Sequence, residues 1–335
     1  MDYKHFLGVD ISKGTLDFCL LTDEGVITFG QSENKPDLII EAIRDICSSN
    51  GAVLAETLLC AEYTGHYGKH LVEASLRAKF QLWLEHPAQI KMSQGMQRGK
   101  DDRKDAERIA VYAKRFSEKA TLVTVGEDVF EELAYLTAER DLLVTDRAKY
   151  SAQLKDEKGF AVKGLYEQKR KRYEKLIKQL DRSIKEIEEH IEKLIDKDDT
   201  LKRQYEILTS VDGIGKQVAV QTIVATKGFT KFSEARKFAC HVGCAPFKYH
   251  SGSSIRSRNK VSHRANKKLK QLYHMAALSV VRSEGVMKEY FERKVAEGKN
   301  KMTVINAIRA KLIATIFALI RDNRKYEKIY TTNLG

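Results

Sequence analysis

Short apolar runs that end in polar turns open the chain, and apolar residues at three- and four-residue spacing take over farther on. "HFLGVDISKG" reads as a strand running into a turn, and "TLDFCLLTDEG" with "VITFGQSEN" as a hairpin turning at Asp23-Glu24-Gly25. "KPDLIIEAIRDICSSNG" has helical spacing, with Pro36 near its start and Gly51 just past its end. "TLLCAEYTG" predicts another strand, "HYGKHLVEASLRAKF" a helix, "QLWLEHP" a strand stopped by Pro87, and "DDRKDAERIAVYAKRF" a helix entered from a loop. Strands alternating with helices in this way predict an α/β layer with a hairpin at one edge.

From about residue 126 to 205 the chain has no proline and is rich in Glu, Lys, Arg, Leu and Ile. Leu176, Leu180, Ile184, Ile187, Ile191 and Leu194 form one helical stripe, and a break near Gly159–Gly164 predicts two helices folded back as a coiled-coil arm. Such an arm serves oligomerisation, spans a ligand, or is a solvated spacer. Residues 206–335 read as helical. In "ILTSVDGIGKQVAVQTIVA", Gly213 and Gly215 sit between two apolar helical patterns, like a helix-hairpin-helix. There, backbone N–H groups and Lys216 would meet a phosphate at the second helix's N-terminus. The competing reading is a tight helix–helix turn with no ligand. "TVINAIRAKLIATIFALIRD" is interrupted by Arg309 and Lys311 and reads as an amphipathic or buried helix, too short to span a bilayer. The predicted class is α/β plus all-α in three sections: 1–125, 126–205 and 206–335.

At 335 residues and net charge +13, the chain is expected to take a polyanionic partner, nucleic acid ahead of membrane. The five cysteines are odd in number and mostly in apolar surroundings, and "MDYKHFLGVD" has no apolar signal region. Free thiols in a reducing cytoplasm are the expectation. Cys240 and Cys244 flank His241 but have no second ligand pair at zinc spacing.

Four carboxylates carry candidate chemistry. Asp10 and Glu62 each stand where an apolar strand meets a polar turn, the edge of an α/β layer where sites form. Asp102 and Asp105 share one face at a helix start, with Asp101 as a rival position. Four hard oxygen donors aimed at one point call for cations between them, and Mg²⁺ is the natural one. A two-ion site of that kind clamps the attacking and leaving oxygens of a phosphodiester. For each acid alone, a helix-terminal or structural role competes.

"GVDISKGTLD", "AEYTG" and "GKDDRKDAERIA" resemble the DEDD residues of a RuvC-like, RNase H-type domain. "VDGIGKQVAVQTIVA", "KFACHVGCAPFKYHSGSS" and "NKKLKQLYHMAALS" resemble the C-terminal domain of the insertion-sequence one-ten transposases, kin to the Piv invertases. The likeness spans nearly the whole chain in the right order. Two positions depart from it: Asp101 stands where a Thr-like residue is expected, and Ala265 precedes Asn266 where the group often has Gly.

The resemblance implies a transposase that uses Mg²⁺ held by Asp10, Glu62, Asp102 and Asp105, with the Ser of the Ser-Gly pair, Ser251, as nucleophile. Gly252 would then let the backbone approach closely. It further implies a dimer that pairs into a tetramer, bringing one chain's serine to another's acids, and a non-coding bridge RNA that pairs with target and donor DNA. From spacing alone, Ser253 and Ser254 remain rivals of Ser251. Lys248, Arg256, Arg258, Lys260, Arg264, Lys267, Lys268 and Lys270 would neutralise DNA or RNA phosphates. Two rivals stand beside this reading. One is a junction-type or site-specific nuclease in which water attacks and the serines only bind phosphate. The other is a non-catalytic nucleic-acid scaffold.

Overall fold

The computed structural model describes residues 3–22, 25, 27–93, 101–123, 128–245, 250–251, 255–256 and 265–327. The chain divides into two compact units, Met1–Gly126 and Glu127–Gly335.

The first unit is a five-stranded mixed sheet covered on both faces. Its strands are β1 (His5–Ile11), β2 (Thr15–Thr22), β3 (Ile27–Glu33), β4 (Thr57–Glu62) and β5 (Gln81–Glu85), in the order β3-β2-β1-β4-β5. β1, β2 and β3 form an antiparallel meander, while β4 runs parallel to β1 and β5 parallel to β4. Alternation then sorts the side chains. Leu7, Val9, Leu16, Phe18 and Leu59 bury against α1 (Pro36–Ser49) and α2 (Lys69–Ala78). Phe6, Cys19, Leu58, Cys60 and Trp83 bury against Ala106, Ile109, Ala110 and Ala113 of α4 (Asp102–Arg115). The sequence pattern missed α3 (Pro87–Ser93): Pro87 opens a short helix as well as following a strand. Of the predicted hairpin turn, Asp23 and Glu24 lie outside the described residues.

The second unit begins with two long antiparallel helices, α5 (Asp128–Glu157) and α6 (Lys163–Asp196). Cross-links join them along their length: Arg140 to Glu188 at 2.7 Å, Arg147 to Asp181 at 2.9 Å, and Lys169 to Glu157 at 2.6 Å. The predicted stripe is buried only toward the C-terminal end of α6, from Ile184 to Leu194, and Leu176 is exposed. The buried end of the hairpin shares one core with the helices that follow: α7 (Asp199–Thr209), α8 (Lys216–Thr226), α9 (Ala235–Val242), α10 (Lys267–Arg282), α11 (Val286–Ala296) and α12 (Lys301–Arg321). Two short strands, β6 (His250–Ser251) and β7 (Ile255–Arg256), pair antiparallel between α9 and α10.

α12 corrects the expected length limit. At 21 residues it is long and apolar enough to cross a membrane, extending about 31 Å at the helical rise. Burial of Val304, Ile308, Leu312 and Ile316 in the unit's core makes it a core helix.

Candidate carboxylate site and serine segment

The sheet register places the first two acids side by side. Val9 pairs with Ala61 on the parallel β1–β4 ladder, so Asp10 and Glu62 follow as neighbours at the C-terminal edge. They lie on the α4 face, because residues two apart on a strand share a face and Phe6 and Cys60 pack there. The row continues in both directions: Asp10 pairs with Asp17 on β2, and Glu62 with Glu85 on β5. Asp17 is buried and accepts a hydrogen bond from Gln31 Nε2 at 3.0 Å, while Glu85 accepts one from the Tyr112 hydroxyl of α4 at 3.2 Å.

α4 brings the third acid to this edge. A β-carbon on Gly8 would stand 2.1 Å from the Ala106 carbonyl oxygen and 2.4 Å from the Ala110 nitrogen. The helix backbone therefore lies directly on β1, with Asp105 just before the point of contact. Glu62 carries the electrostatic signature of this convergence. Burial raises its carboxyl above the ordinary value, the charges of Asp10 and Asp105 raise it further, and Lys91 of α3 opposes them. Asp105 is itself paired with Arg108 one turn on, at 2.5 Å.

Asp101 and Asp102 have separate places. Asp101 is the N-cap of α4 and accepts a hydrogen bond from the Arg103 N–H at 3.2 Å, which gives the rival acid a structural role. Asp102 occupies the first turn, is exposed, and is not among the charges acting on Glu62. Among the described residues, no group of three His, Cys, Asp or Glu side chains is close enough to hold a metal ion together. The donor chemistry nevertheless suits a hard dication: three carboxylates repel one another at one sheet edge, with a single lysine acting against them. Sequence reading missed Gly8, Asp17, Glu85 and Arg108. The alternation of β1, β2 and β5 contained the signal for the two acids.

In the second unit, the glycine turn packs against protein. Gly213 has φ +80°, and a β-carbon there would come within 2.4 Å of Val280 Cγ1 and 2.8 Å of the Ala276 carbonyl oxygen, both on α10. Gly215 is the N-cap of α8 and has open space around it. Lys216 donates to Glu192 at 2.5 Å and Gln217 to Glu188 at 3.3 Å, so two α6 carboxylates approach the start of α8. A cavity of about 340 Å³ adjoins these residues.

Ser251 ends β6, where its backbone pairs with Ile255, and Arg256 in β7 pairs with His250. Lys248, Gly252, Ser253, Ser254, Arg258, Lys260 and Arg264 lie outside the described residues. Lys267 and Lys268 open α10; Lys267 is exposed, and Lys268 is bound to Asp141 of α5 at 2.7 Å. The segment's two ends meet: the Asn266 N–H donates to the His241 carbonyl at 2.8 Å, and Asn306 Nδ2 to the Cys244 carbonyl at 2.8 Å.

Two family profiles match the chain in order. One, DEDD_Tnp_IS110, described as a transposase, covers residues 7–156 and so takes in the acids of β1, β4 and α4. The other, described as Transposase IS116/IS110/IS902 family, covers residues 205–292 and takes in the serine segment. The chain belongs to this family of transposases.

The IS116/IS110/IS902 transposase is also similar to two proteins named as pilin gene-inverting. That of Moraxella lacunata is 25% identical over 97% of this chain and 98% of its own length. That of Moraxella bovis is 26% identical over the same shares. An insertion element IS900 42 kDa protein of Mycobacterium paratuberculosis is 27% identical over 42% of this chain and 35% of its own. A solved structure titled as T. thermophilus RuvC in complex with Holliday junction substrate covers 36% of this chain and all of that one, at 9% identity and a TM-score of 0.28. The protein is a DNA recombinase of the transposase type.

Proposed function

We propose that this transposase cuts and rejoins DNA through a covalent serine–DNA intermediate formed at Ser251, with Mg²⁺ held by Asp10, Glu62, Asp105 and Asp102. The observation that carries the reading is the convergence of Asp10, Glu62 and Asp105 on one edge of the sheet. Bound there, Mg²⁺ would supply charge neutralisation at the phosphate and at the departing oxygen. Gly8 and the Asp101 cap hold α4, and with it Asp105, in place. Arg108 holds the Asp105 carboxylate on its own helix until a cation competes for it.

In the reaction proposed, the Ser251 hydroxyl oxygen forms an ester to phosphorus and gives up its proton. The bond from phosphorus to the departing sugar oxygen breaks, and that oxygen takes up a proton to leave as a hydroxyl. Conservation of the ester on the protein is what makes rejoining possible. A hydroxyl from a second strand attacks the serine ester, forms a new phosphodiester and restores the serine. Water as nucleophile would break the strand with nothing retained for resealing. Serine and acids therefore have to reach one phosphate, which we assign to an assembly of several chains in which one copy supplies each. Choice of site is assigned to a structured bridge RNA pairing with donor and target DNA. A net charge of +13 supports partners this rich in phosphate.

The test is a denaturing gel of protein, Mg²⁺, the RNA transcribed from the element's flank and labelled junction DNA. A protein–DNA band lost in both Ser251→Ala and Glu62→Gln is expected. Cleavage without an adduct, surviving Ser251→Ala, would replace this reading with a water-using nuclease.

A further inference from the structure

Arg309 is the one arginine among the described residues that is buried in the core, at 7% exposure. It lies on α12, surrounded in sequence by apolar positions, and hydropathy alone treats it as an interruption. Its Nη2 donates to Asn306 Oδ1 at 2.7 Å, and the same Asn306 side chain donates from Nδ2 to the Cys244 carbonyl at 2.8 Å. Its Nε is fully buried and has no acceptor. Burial pulls the guanidinium below its ordinary value, and no carboxylate acts on it among the described residues.

A buried guanidinium without an anion costs several kcal/mol of desolvation that nothing here offsets. An apolar residue of the same volume would serve a purely structural purpose better. The position explains what the charge could be for. Cys244 and Asn266 bound the segment that carries Ser251, and its two ends are tied to α12 and α9 at this point. Lys270, on the second turn of α10, also acts on the Cys244 thiol, so two cations and the start of a 16-residue helix gather at the stem of the serine segment.

We propose that Arg309, oriented by Asn306, is an anion receptor that takes a phosphodiester oxygen of a nucleic-acid strand at the stem of the serine segment, with Lys270 beside it. Arg309 offers Nε–H and a second N–H on one edge, the fork that matches two phosphate oxygens. A group this deep is reached when the chain over it gives way, so the contact belongs to the bound state of the segment. The inference requires that the chain bind nucleic acid. It does not require Ser251 to attack, and loss of strand joining in Ser251→Ala leaves it standing.

The experiment measures affinity against salt for the full-length chain with three probes: a DNA duplex, a DNA single strand and an RNA hairpin. Arg309→Met keeps the volume and removes the charge. The expected result is at least about tenfold weaker binding to one or more probes. The slope of log affinity against log salt should fall by about 0.9 for a duplex contact or 0.7 for a single strand. The melting temperature should be unchanged or higher. The probe whose slope changes identifies the strand. Arg309→Lys should keep the slope and lose several-fold in affinity. A folded Arg309→Met with wild-type affinity and slope on all three probes would overturn the proposal. Should Arg309→Met fail to fold, the wild-type protein decides by NMR. An arginine Nε–H resonance absent from Arg309→Lys must shift when the oligonucleotide is added, and a resonance that stays put overturns the proposal.

Discussion

Gly8 of β1 and Ala106 of α4 touch through their backbones: a β-carbon on Gly8 would lie 2.1 Å from the Ala106 carbonyl oxygen. That contact sets the height of α4 above the sheet, and so the distance of Asp105 from Asp10 and Glu62. Gly8→Ala should destabilise the first unit by about 1–3 kcal/mol, the range for overpacking a closed contact. It should also remove most strand cleavage at temperatures where the variant is still folded. Gly14→Ala, with nothing within 4 Å of the added carbon, is the control and should retain activity. Circular dichroism melts paired with cleavage assays read both effects.

Glu62 is raised by burial, Asp10 and Asp105 together. Replacing it with Gln removes one of three mutually repelling charges. Without divalent ions, Glu62→Gln should therefore melt higher than wild type at neutral pH. Adding Mg²⁺ should raise the melting temperature of the wild type more than that of the variant. Equal Mg²⁺ responses in the two proteins would remove Glu62 from the proposed metal site.

Gly213 and Gly215 separate by role. Gly213→Ala combines a left-handed backbone with overlap onto Val280 and Ala276, and should cost more than about 1 kcal/mol. Gly215→Ala only exchanges one N-cap for a poorer one and should cost about 1 kcal/mol or less. Urea unfolding of the two variants checks the order.

The cysteines are free thiols and most are inert by burial. Cys47 and Cys244 are pushed up to about 11 and Cys19 to about 12, in each case chiefly by desolvation. In native protein at pH 8, a thiol reagent should reach Cys240 alone, the half-buried one, and all five after denaturation. The pH sign follows. Unfolded thiols lose their protons near 9.0 while the folded ones keep theirs to about 11. The folded state thus binds more protons between those values, and stability should fall as pH rises through that window.

Much of this arrangement was legible in the sequence because it is local. Asp10 and Glu62 stand at the ends of apolar strands, and α4 is announced by its acids and its apolar spacing. The contacts that complete the site are not local. Gly8 looks like any small residue in a strand until α4 is laid over it. Asp17 and Glu85 become neighbours of Asp10 and Glu62 only through the register of three ladders. Arg108 was hidden among the charges of a solvated helix. Gly213 suggested a close approach to phosphate, yet the atoms it approaches are Val280 and Ala276. Both explanations need a glycine, and sequence cannot tell which atom lies opposite. Arg309 failed to register for a similar reason: a charge in an apolar helix reads as its exposed edge, and only burial shows otherwise.

The central claim is that serine and carboxylates act on the same phosphate. Its most direct test is mass spectrometry of the protein after reaction with junction DNA, Mg²⁺ and the flank-encoded RNA, followed by nuclease and protease digestion. The account predicts a nucleotide phosphoester on the peptide containing Ser251, absent from Asp10→Asn and Glu62→Gln reactions. Cut DNA with every serine of that peptide unmodified would contradict it.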